Sequence, residues 1–399
     1  MSRRIDRIRT LRSPEHSNLI WVIVEDDQGT TGLGETYYVP AAVEAVIHDL
    51  AAPLLLGRDP SAIEEIAQIL FACANFHGYA GAEMRAFSAL DIALWDLAGH
   101  ASGCSIARLL GGRRRDRIRA YVTCVDALPF ADQTRWLEDA GELATELRSE
   151  GFGAMKVWPW DRFAPQIESL AATGPAGWSA MGLVGHDLTA ADLAQGLVVL
   201  ERIADAVGEE MTIMIEGHSR WDLHAALRIC HAIEPFPIGW VEDIIQPTSA
   251  RDLARLVHET RVPHAVSERL ISRHAYRDVL ELGAAHVVMV DLVWTGGLSE
   301  SRVIATMADA YHLPVAPHDC TGPVSLAASL QLCGHAPNAM IMEIVRGLLA
   351  GQYRGLVEPA FELADGHITI PDRPGHGFAL RADLMDSRAA IVHESHHPR

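Results

Sequence analysis

The chain has 399 residues, a formal net charge of −19 and 49% hydrophobic residues, enough to bury a large core without disulfide or metal staples. Its negative charge argues against a nucleic-acid or anionic-membrane partner, because phosphate groups bind to positive surfaces. Six scattered cysteines without a CxxC pair, no leader-like segment and no uninterrupted apolar run of membrane-spanning length predict a soluble cytoplasmic protein with a small-molecule partner.

Residues 1–112 combine a β-rich opening with helical periodicity. LIWVIVEDDQGTTGLGE alternates apolar residues around a turn, and AFSALDIALWDLAGHASG has apolar residues at helical spacing. We interpret this part as a small α+β domain that ends at Gly111-Gly112. The basic cluster at 113–115 could bind an acid, although a solvated turn at a domain boundary is the preferred interpretation.

From residue 113 to 355, short β-prone runs alternate with amphipathic stretches. The runs lie near residues 118–124, 154–158, 211–215, 238–241, 263–267, 286–290, 313–316 and 339–342. This pattern is typical of parallel βα units and favours a closed barrel over an open sheet. We interpret residues 162–192 as a long loop with room for one short helix, and 356–399 as turns and short strands after the barrel closes.

An ionisable residue lies at the end of each of seven successive runs, on the side of a barrel where catalytic residues lie. These residues are Lys156, Glu216, Glu242, Glu268, Asp291, His318 and Glu343. Any one of them could simply begin a loop, but seven in succession indicate a site.

The three middle carboxylates, Glu216, Glu242 and Glu268, are one βα unit apart. Carboxylates that converge in a dehydrated pocket repel one another unless a cation neutralises them. Oxygen ligands favour Mg²⁺, with Mn²⁺ as a substitute. Three solvated carboxylates on loops are the alternative.

The remaining strand-end residues suggest acid–base chemistry. Asp291 could fix the tautomer of His318 and make it a general base, whereas an isolated histidine is more often structural. Lys156 could stabilise negative charge on an oxygen. Glu343, either protonated or paired with a lysine, would complete the set of side chains around the substrate.

Together these residues resemble the enolase superfamily, in its mandelate racemase/muconate lactonizing branch. The similarity extends from GLGETYY, through ALDIALWDLAGHASGCSIARLLGG and VVMVDLVWTGGLSESRVIATMADAYHLPVAPHD, to PDRPGHGF. It implies a (β/α)₇β TIM-type barrel under an N-terminal α+β capping domain. Residues 356–399 would return to the cap, and homo-oligomers are common in the family.

The resemblance also implies roles for the strand-end residues. It implies Mg²⁺ at Glu216, Glu242 and Glu268, a His318–Asp291 base, and Glu343 near a substrate carboxylate. The chemistry would be abstraction of a proton α to a carboxylate, with Mg²⁺ and Lys156 holding the enolate oxygens.

The chain departs from the racemases of this branch at the second strand. They carry a Lys-x-Lys pair there, whereas this chain has Lys156-Val157-Trp158. The missing lysine argues against two-base proton transfer and against muconate-type chemistry. Rotation of Lys156 into that role would keep a racemase, epimerase or cycloisomerase as the alternative.

His218 in EGHSR instead resembles the Asp-x-His-x-Arg pattern of galactonate and mannonate dehydratases, with glutamate as the first residue. It could protonate a departing β-hydroxyl, or merely order its loop. Arg220 could bind distal hydroxyls or pair with a surface acid. We therefore predict a Mg²⁺-dependent dehydratase of aldonates or aldarates. A non-catalytic binding protein is disfavoured, because every strand-end ligand is present.

In the family, loops of the cap cover the barrel mouth and determine specificity. The corresponding stretches here are SPEHSN (13–18), ETYYVP (35–40) and NFHGYAG (75–81). We take His16 and Tyr38 from these loops, together with Trp158 and Arg220 from the barrel, as substrate-binding residues.

Overall fold

A computed structural model describes residues 3–167, 182–385 and 387–398. The strands of its two main sheets are β1 Ile5–Arg12, β2 Leu19–Asp26, β3 Thr31–Tyr37, β4 Arg117–Thr123, β5 Ala154–Val157, β6 Thr212–Glu216, β7 Ile238–Glu242, β8 His264–Val266, β9 Val287–Val288, β10 Met342–Ile344 and β11 Ile391–His396. Shorter strands lie at Asp126–Ala127, Phe130–Ala131, Val357–Glu358, Leu363–Ala364, His367–Thr369 and Ala379–Leu380.

Helices surround these sheets. The longer ones are α1 Ile63–Ala74, α2 Ala82–Ser102, α3 Asp132–Ser149, α4 Ala190–Val207, α5 Leu223–Ile233, α6 Ala250–Glu259, α7 Ser272–Glu281, α8 Gly297–Ala310 and α9 Pro323–His335. Short helical segments are Pro14–His16, Pro40–Ala45, Val46–Ala51, Ala52–Leu55, Ile106–Leu109, Asp161–Phe163, Gly208–Glu210, Leu292–Thr295, Arg346–Leu348, Leu349–Tyr353, Arg354–Leu356 and Ala382–Met385. No helix of the described part of the chain is both long and apolar enough to cross a membrane.

The N-terminal sheet is antiparallel and has the order β11-β1-β2-β3. The predicted turn between β2 and β3 forms because Asp26 Oδ1 accepts hydrogen bonds from the backbone of Gln28 and Thr30. α2 packs closely on β3, where Gly32 and Gly34 leave no room for a side chain against the α2 backbone. The pairing of β11 with β1 brings the end of the chain back to this sheet.

The second sheet contains a ring of parallel strands, to which the short strand His367–Thr369 adds antiparallel at β4. The ring confirms the predicted barrel fold. β4 to β9 pair in chain order, Val315 bridges Val288 and Ala339, and β10 pairs with β4. The ring therefore closes where Met342 meets Ala120. The N-terminal α+β sheet completes the predicted architecture, whereas the domain boundaries at 112 and 355 stay a prediction.

Two of the predicted strands differ in the structure. The run at 313–316 is reduced to a single bridge at Val315, because Pro314 and Pro317 flank it and cannot donate to a ladder. The last strand is Met342–Ile344 rather than 339–342. Glu343 therefore lies within the strand and not beyond its end.

The long interval between β5 and β6 is only partly described. Residues 168–181 of the predicted 162–192 loop lie outside the described residues. Gln166 bridges Gly182, and Gly185 bridges Trp221 near the end of β6. α4 already begins at Ala190, where Thr189 and Asp192 form a capping box. A long helix thus occupies the end of the predicted loop.

Candidate active site

A cavity of about 980 Å³ lies at the carboxyl ends of the barrel strands, where loops of the N-terminal part also line it. Its volume is within the range of small-molecule sites. The N-terminal part contributes Tyr37, Tyr38, Ala80, Gly81 and Arg85. Among the predicted residues, the barrel contributes Lys156, Trp158, Glu216, His218, Arg220, Glu268, His318 and Glu343.

Asp291 holds His318 in a fixed orientation. Asp291 Oδ1 caps the segment Leu292–Thr295 by accepting from the backbone of Val293 at 2.8 Å, and its Oδ2 lies 2.7 Å from His318 Nδ1. Both residues are buried, and His318 Nε2 is left for the cavity, 3.3 Å from Cys320 Sγ. Burial opposes a charge on the imidazole, but Cys320, Glu343 and Asp291 outweigh it and raise the pKa of His318.

Lys156 joins three carboxylates at the base of the cavity. Its Nζ lies 2.9 Å from Glu242, 2.8 Å from Glu343 and 3.5 Å from Glu216. Although burial favours the neutral amine, these acids outweigh it and raise the pKa of Lys156. Glu343, which also accepts from Thr123 Oγ1, keeps a pKa below its ordinary value because Lys156 and His318 outweigh its burial. Of the two predicted forms of Glu343, protonated or paired with a lysine, the structure therefore has the lysine-paired one.

Glu216, Glu242 and Glu268 converge in the same region. Glu216 and Glu242 are directly opposite each other on β6 and β7, and Glu268 follows β8. Burial, together with Glu268, raises the pKa of Glu216 to about 7 despite Lys156. Glu268 is buried too, but Arg269, at 3.2 Å, leads the charges that lower its pKa to about 2.

The donor set of these carboxylates fits a hard divalent cation. Glu242 Oε1 and Glu268 Oε2 are buried and have no hydrogen-bond partner among the described residues. Unpartnered buried carboxylate oxygens are costly, and a cation would satisfy them. No three His, Cys, Asp or Glu side chains of residues 3–167, 182–385 and 387–398 are already arranged to hold a metal. The ammonium of Lys156 instead balances Glu216 and Glu242.

His218 is one member of a second histidine–carboxylate pair in the cavity. Its Nδ1 lies 2.5 Å from Asp161 Oδ2, and its backbone donates to Glu216 Oε1. Trp158 packs edge-on against the imidazole at 5.5 Å. The sequence prediction missed Asp161, which follows β5 in the stretch WPWD and is 57 positions before His218.

The predicted substrate-binding residues differ in position. Tyr38 and Trp158 line the cavity. Arg220 also reaches it, but its guanidinium donates to the carbonyls of Ala164 and Pro165, which orders that loop. His16 is not among the described lining residues and contacts the cavity wall through Gln352, at 3.3 Å. These four assignments stay predictions.

Several residues that line the cavity were not predicted from the sequence as site residues. Arg269 and Cys320 could have been found, because each lies one or two positions from a predicted site residue. Arg85 carries no such signal, since it comes from α2 in the N-terminal part of the chain.

Comparisons with known proteins agree with this architecture. Residues 8–111 match the mandelate racemase/muconate lactonizing enzyme N-terminal domain, and residues 139–384 match the enolase C-terminal domain-like family.

Individual relatives cover nearly the whole chain. A D-galactonate dehydratase of Ralstonia nicotianae is 30% identical over 99% of this chain and 97% of its own. A D-galactarolactone cycloisomerase of Agrobacterium fabrum is 30% identical over 92% of this chain and 90% of its own. The crystal structure of an enolase protein from environmental sequencing of the Sargasso Sea is 40% identical, covers 100% of both chains and superimposes with a TM-score of 0.87. The chain belongs to the enolase superfamily, in its mandelate racemase/muconate lactonizing branch.

Proposed function

We propose that this enzyme is a Mg²⁺-dependent acid-sugar dehydratase, which removes the proton α to a carboxylate and expels the β-hydroxyl. The observation that carries the proposal is a cavity with two histidines, His318 and His218, each with a carboxylate on Nδ1. Such pairs suit one group that accepts a proton and another that donates one. The names of several relatives, D-galactonate dehydratase among them, support the same reaction class.

His318 would act as the base. Asp291 fixes its Nδ1, so Nε2 is the atom that takes the proton from C2 of the substrate. Because its surroundings raise the pKa of His318, the imidazole must first lose its own proton. Binding of cationic charge near Glu343 and Lys156 would favour that loss.

Glu216, Glu242 and Glu268 would hold Mg²⁺, which supplies positive charge for the oxygens of the enolate when it is bound. Lys156 stays an ammonium between its carboxylates and adds a hydrogen-bond donor on the same side. Its raised pKa argues against a role as a second base, and so against two-base racemisation.

His218 would complete the elimination. Asp161 holds Nδ1 of the imidazole, and the ring nitrogen that does not face Asp161 would donate a proton to the β-hydroxyl as the C3–O bond breaks. Water leaves with that proton, and the resulting enol tautomerises to a 2-keto-3-deoxy acid. Each proton taken at C2 is thus matched by one delivered to the leaving hydroxyl.

The proposal is tested by screening the purified enzyme with Mg²⁺ against a panel of aldonates and aldarates, with detection of 2-keto acids as semicarbazones. We expect a semicarbazone signal with at least one member of the panel and its loss in His218→Asn. A panel without any 2-keto product would refute the dehydratase.

A cycloisomerase or racemase is the second candidate, because one relative is named a D-galactarolactone cycloisomerase. It would use the same His318–Asp291 base but lose no water. Cytoplasmic location and assembly into a homo-oligomer stay predictions.

A further inference from the structure

Arg85 is a charged side chain of the cavity that the proposed reaction does not use. It lies in the first turn of α2 and is half-buried. Its Nη1 donates to the backbone carbonyl of Tyr37 at 2.8 Å. Its Cζ lies 4.5 Å from the ring centroid of Trp294 and 5.5 Å from that of Tyr38. These contacts fix the guanidinium without neutralising it.

The other cavity cations are engaged differently. Lys156 pairs with three carboxylates, and Arg269 pairs with Glu268. Arg162 is exposed, with its guanidinium over the ring of Phe163, and Arg220 donates to the carbonyls of Ala164 and Pro165. In the described parts of the chain no carboxylate lies within 4.0 Å of the Arg85 guanidinium, and Asp291 acts on it only from beyond that distance. Burial lowers the pKa of Arg85 only to about 10, so it remains charged at neutral pH.

An unpaired, half-buried cation is costly unless a ligand supplies the counter-charge. The chain has a large excess of acids, with a net charge of −19, yet no acid of the described residues forms an ion pair with this guanidinium. Donors of Arg85 that Tyr37 does not use are available on a surface that lines the cavity. The missing partner is therefore expected from the substrate.

The position of Arg85 relates it to the base. The indole of Trp294 contacts both Arg85 and the imidazole of His318, with a centroid distance of 5.4 Å to the latter. Only the indole of Trp294 thus separates the guanidinium of Arg85 from His318, the proposed base. A substrate whose first carboxylate is held by the cation proposed at Glu216 and Glu268 would extend its remaining carbons from His318 toward the N-terminal part of the chain.

We propose that Arg85 binds the distal carboxylate of a dicarboxylic acid sugar, so that the enzyme prefers aldarates to aldonates. A guanidinium and a carboxylate form two parallel hydrogen bonds, which suits a cation fixed by stacking. An aldonate ends in a neutral hydroxymethyl group, which would leave the cation unpaired. This inference rests on the proposed function and narrows its substrate class.

The test compares aldarates and aldonates that share their configuration, such as galactarate with galactonate and glucarate with gluconate. For the configuration that the enzyme accepts, we expect kcat/KM for the aldarate to exceed that for the aldonate by about tenfold or more. In Arg85→Gln this preference should disappear, mainly through a higher KM for the aldarate. Arg85→Lys should retain part of it, and the control Arg255→Gln, at an exposed position on α6 away from the cavity, should retain all of it.

The failure of this inference can be told apart from that of the proposed function. Dehydration of aldonates with equal or higher kcat/KM would overturn the role of Arg85 and leave the dehydratase intact. If neither class is dehydrated, the dehydratase is refuted, and binding of the same pairs to His318→Asn decides the inference. Tighter aldarate binding that depends on Arg85 supports it, and equal binding of the two classes overturns it.

Discussion

His318 Nδ1 lies 2.7 Å from Asp291 Oδ2, and both side chains are buried at the edge of the cavity. Asp291 follows β9, and His318 follows the next strand position of the barrel, at Val315. Asp291 is itself fixed by a hydrogen bond from the backbone of Val293. This pairing leaves one defined nitrogen of the imidazole for the substrate. The catalytic predictions depend on this pair.

His318→Asn should lower kcat by about 10²- to 10⁴-fold, because it removes the group that accepts the C2 proton. Asp291→Asn should also lower kcat, since the amide no longer fixes the tautomer. Steady-state kinetics on the best substrate of the panel, with circular dichroism to verify the fold, check both. Unchanged turnover in His318→Asn would contradict its assignment as the base.

Mg²⁺ should raise the thermal midpoint of unfolding, because a bound cation relieves repulsion among buried carboxylates. At a hundredfold excess over Kd the stabilisation should be about 2.7 kcal/mol. Differential scanning fluorimetry with and without MgCl₂ measures this shift. It should shrink in Glu242→Gln and persist in the control Glu259→Gln, which alters an exposed ion pair. Equal shifts in the wild type and Glu242→Gln would argue against the proposed ligands.

Glu35 links the N-terminal sheet to the barrel. Its carboxylate accepts from Trp21 Nε1 at 2.6 Å and from the backbone of Val324 and Ser325, at the start of α9, at 3.0 Å. Glu35→Ala would leave these buried donors unsatisfied, so we expect the thermal midpoint to fall by roughly 5–10 °C. Turnover should fall too, because α9 begins just after the loop that carries His318.

Glu35→Gln, which keeps an acceptor oxygen, should lose less stability than Glu35→Ala. The exposed Glu15→Ala provides a matched control in the same part of the chain. A thermal midpoint of Glu35→Ala equal to that of the control would show that this link is unimportant.

Stability should fall in acid because of His264. Burial, followed by the neighbouring His286, lowers the pKa of His264 to about 4, from an ordinary value of 6.5. The unfolded chain therefore takes up the proton first as pH falls. The contribution of neutral His264 to the free energy of unfolding is complete above about pH 6.5. It is lost progressively toward pH 4, by up to about 3 kcal/mol.

Thermal midpoints at pH 7 and pH 4.5 measure this loss. His264→Gln, which cannot titrate, should show a smaller decrease between the two values than the wild type. His231→Gln, at an exposed position on α5, should show the wild-type decrease. The same pH dependence in all three proteins would contradict the assignment.

The barrel could be predicted because its signal is local and repeated. Each parallel strand is a short apolar run, and the polar residue after it is brought to the same rim by the closure of the ring. The shortness of the seventh strand was also readable, since Pro314 and Pro317 are visible in the sequence. The spacing of apolar runs could not predict how many residues of each strand pair with the next strand, because that length depends on the neighbouring strands.

The missed residues reach the site through long-range contacts. Asp161 meets His218 across an irregular loop, and Arg85 comes from a helix on the other sheet. Glu35 lies 289 positions before its partner Val324. No spacing rule links such residues, because the docking of the N-terminal part on the barrel decides which side chains meet.

The most direct test of the proposed function is proton NMR of the reaction in D₂O with Mg²⁺ and an accepted acid sugar. We predict a 2-keto-3-deoxy product with one solvent deuteron at C3, unconsumed substrate that keeps its proton and configuration at C2, and conversion by His318→Asn that is slower by about 10²-fold or more. Deuterium that enters C2 of the substrate without loss of water would contradict the dehydratase and identify a racemase instead.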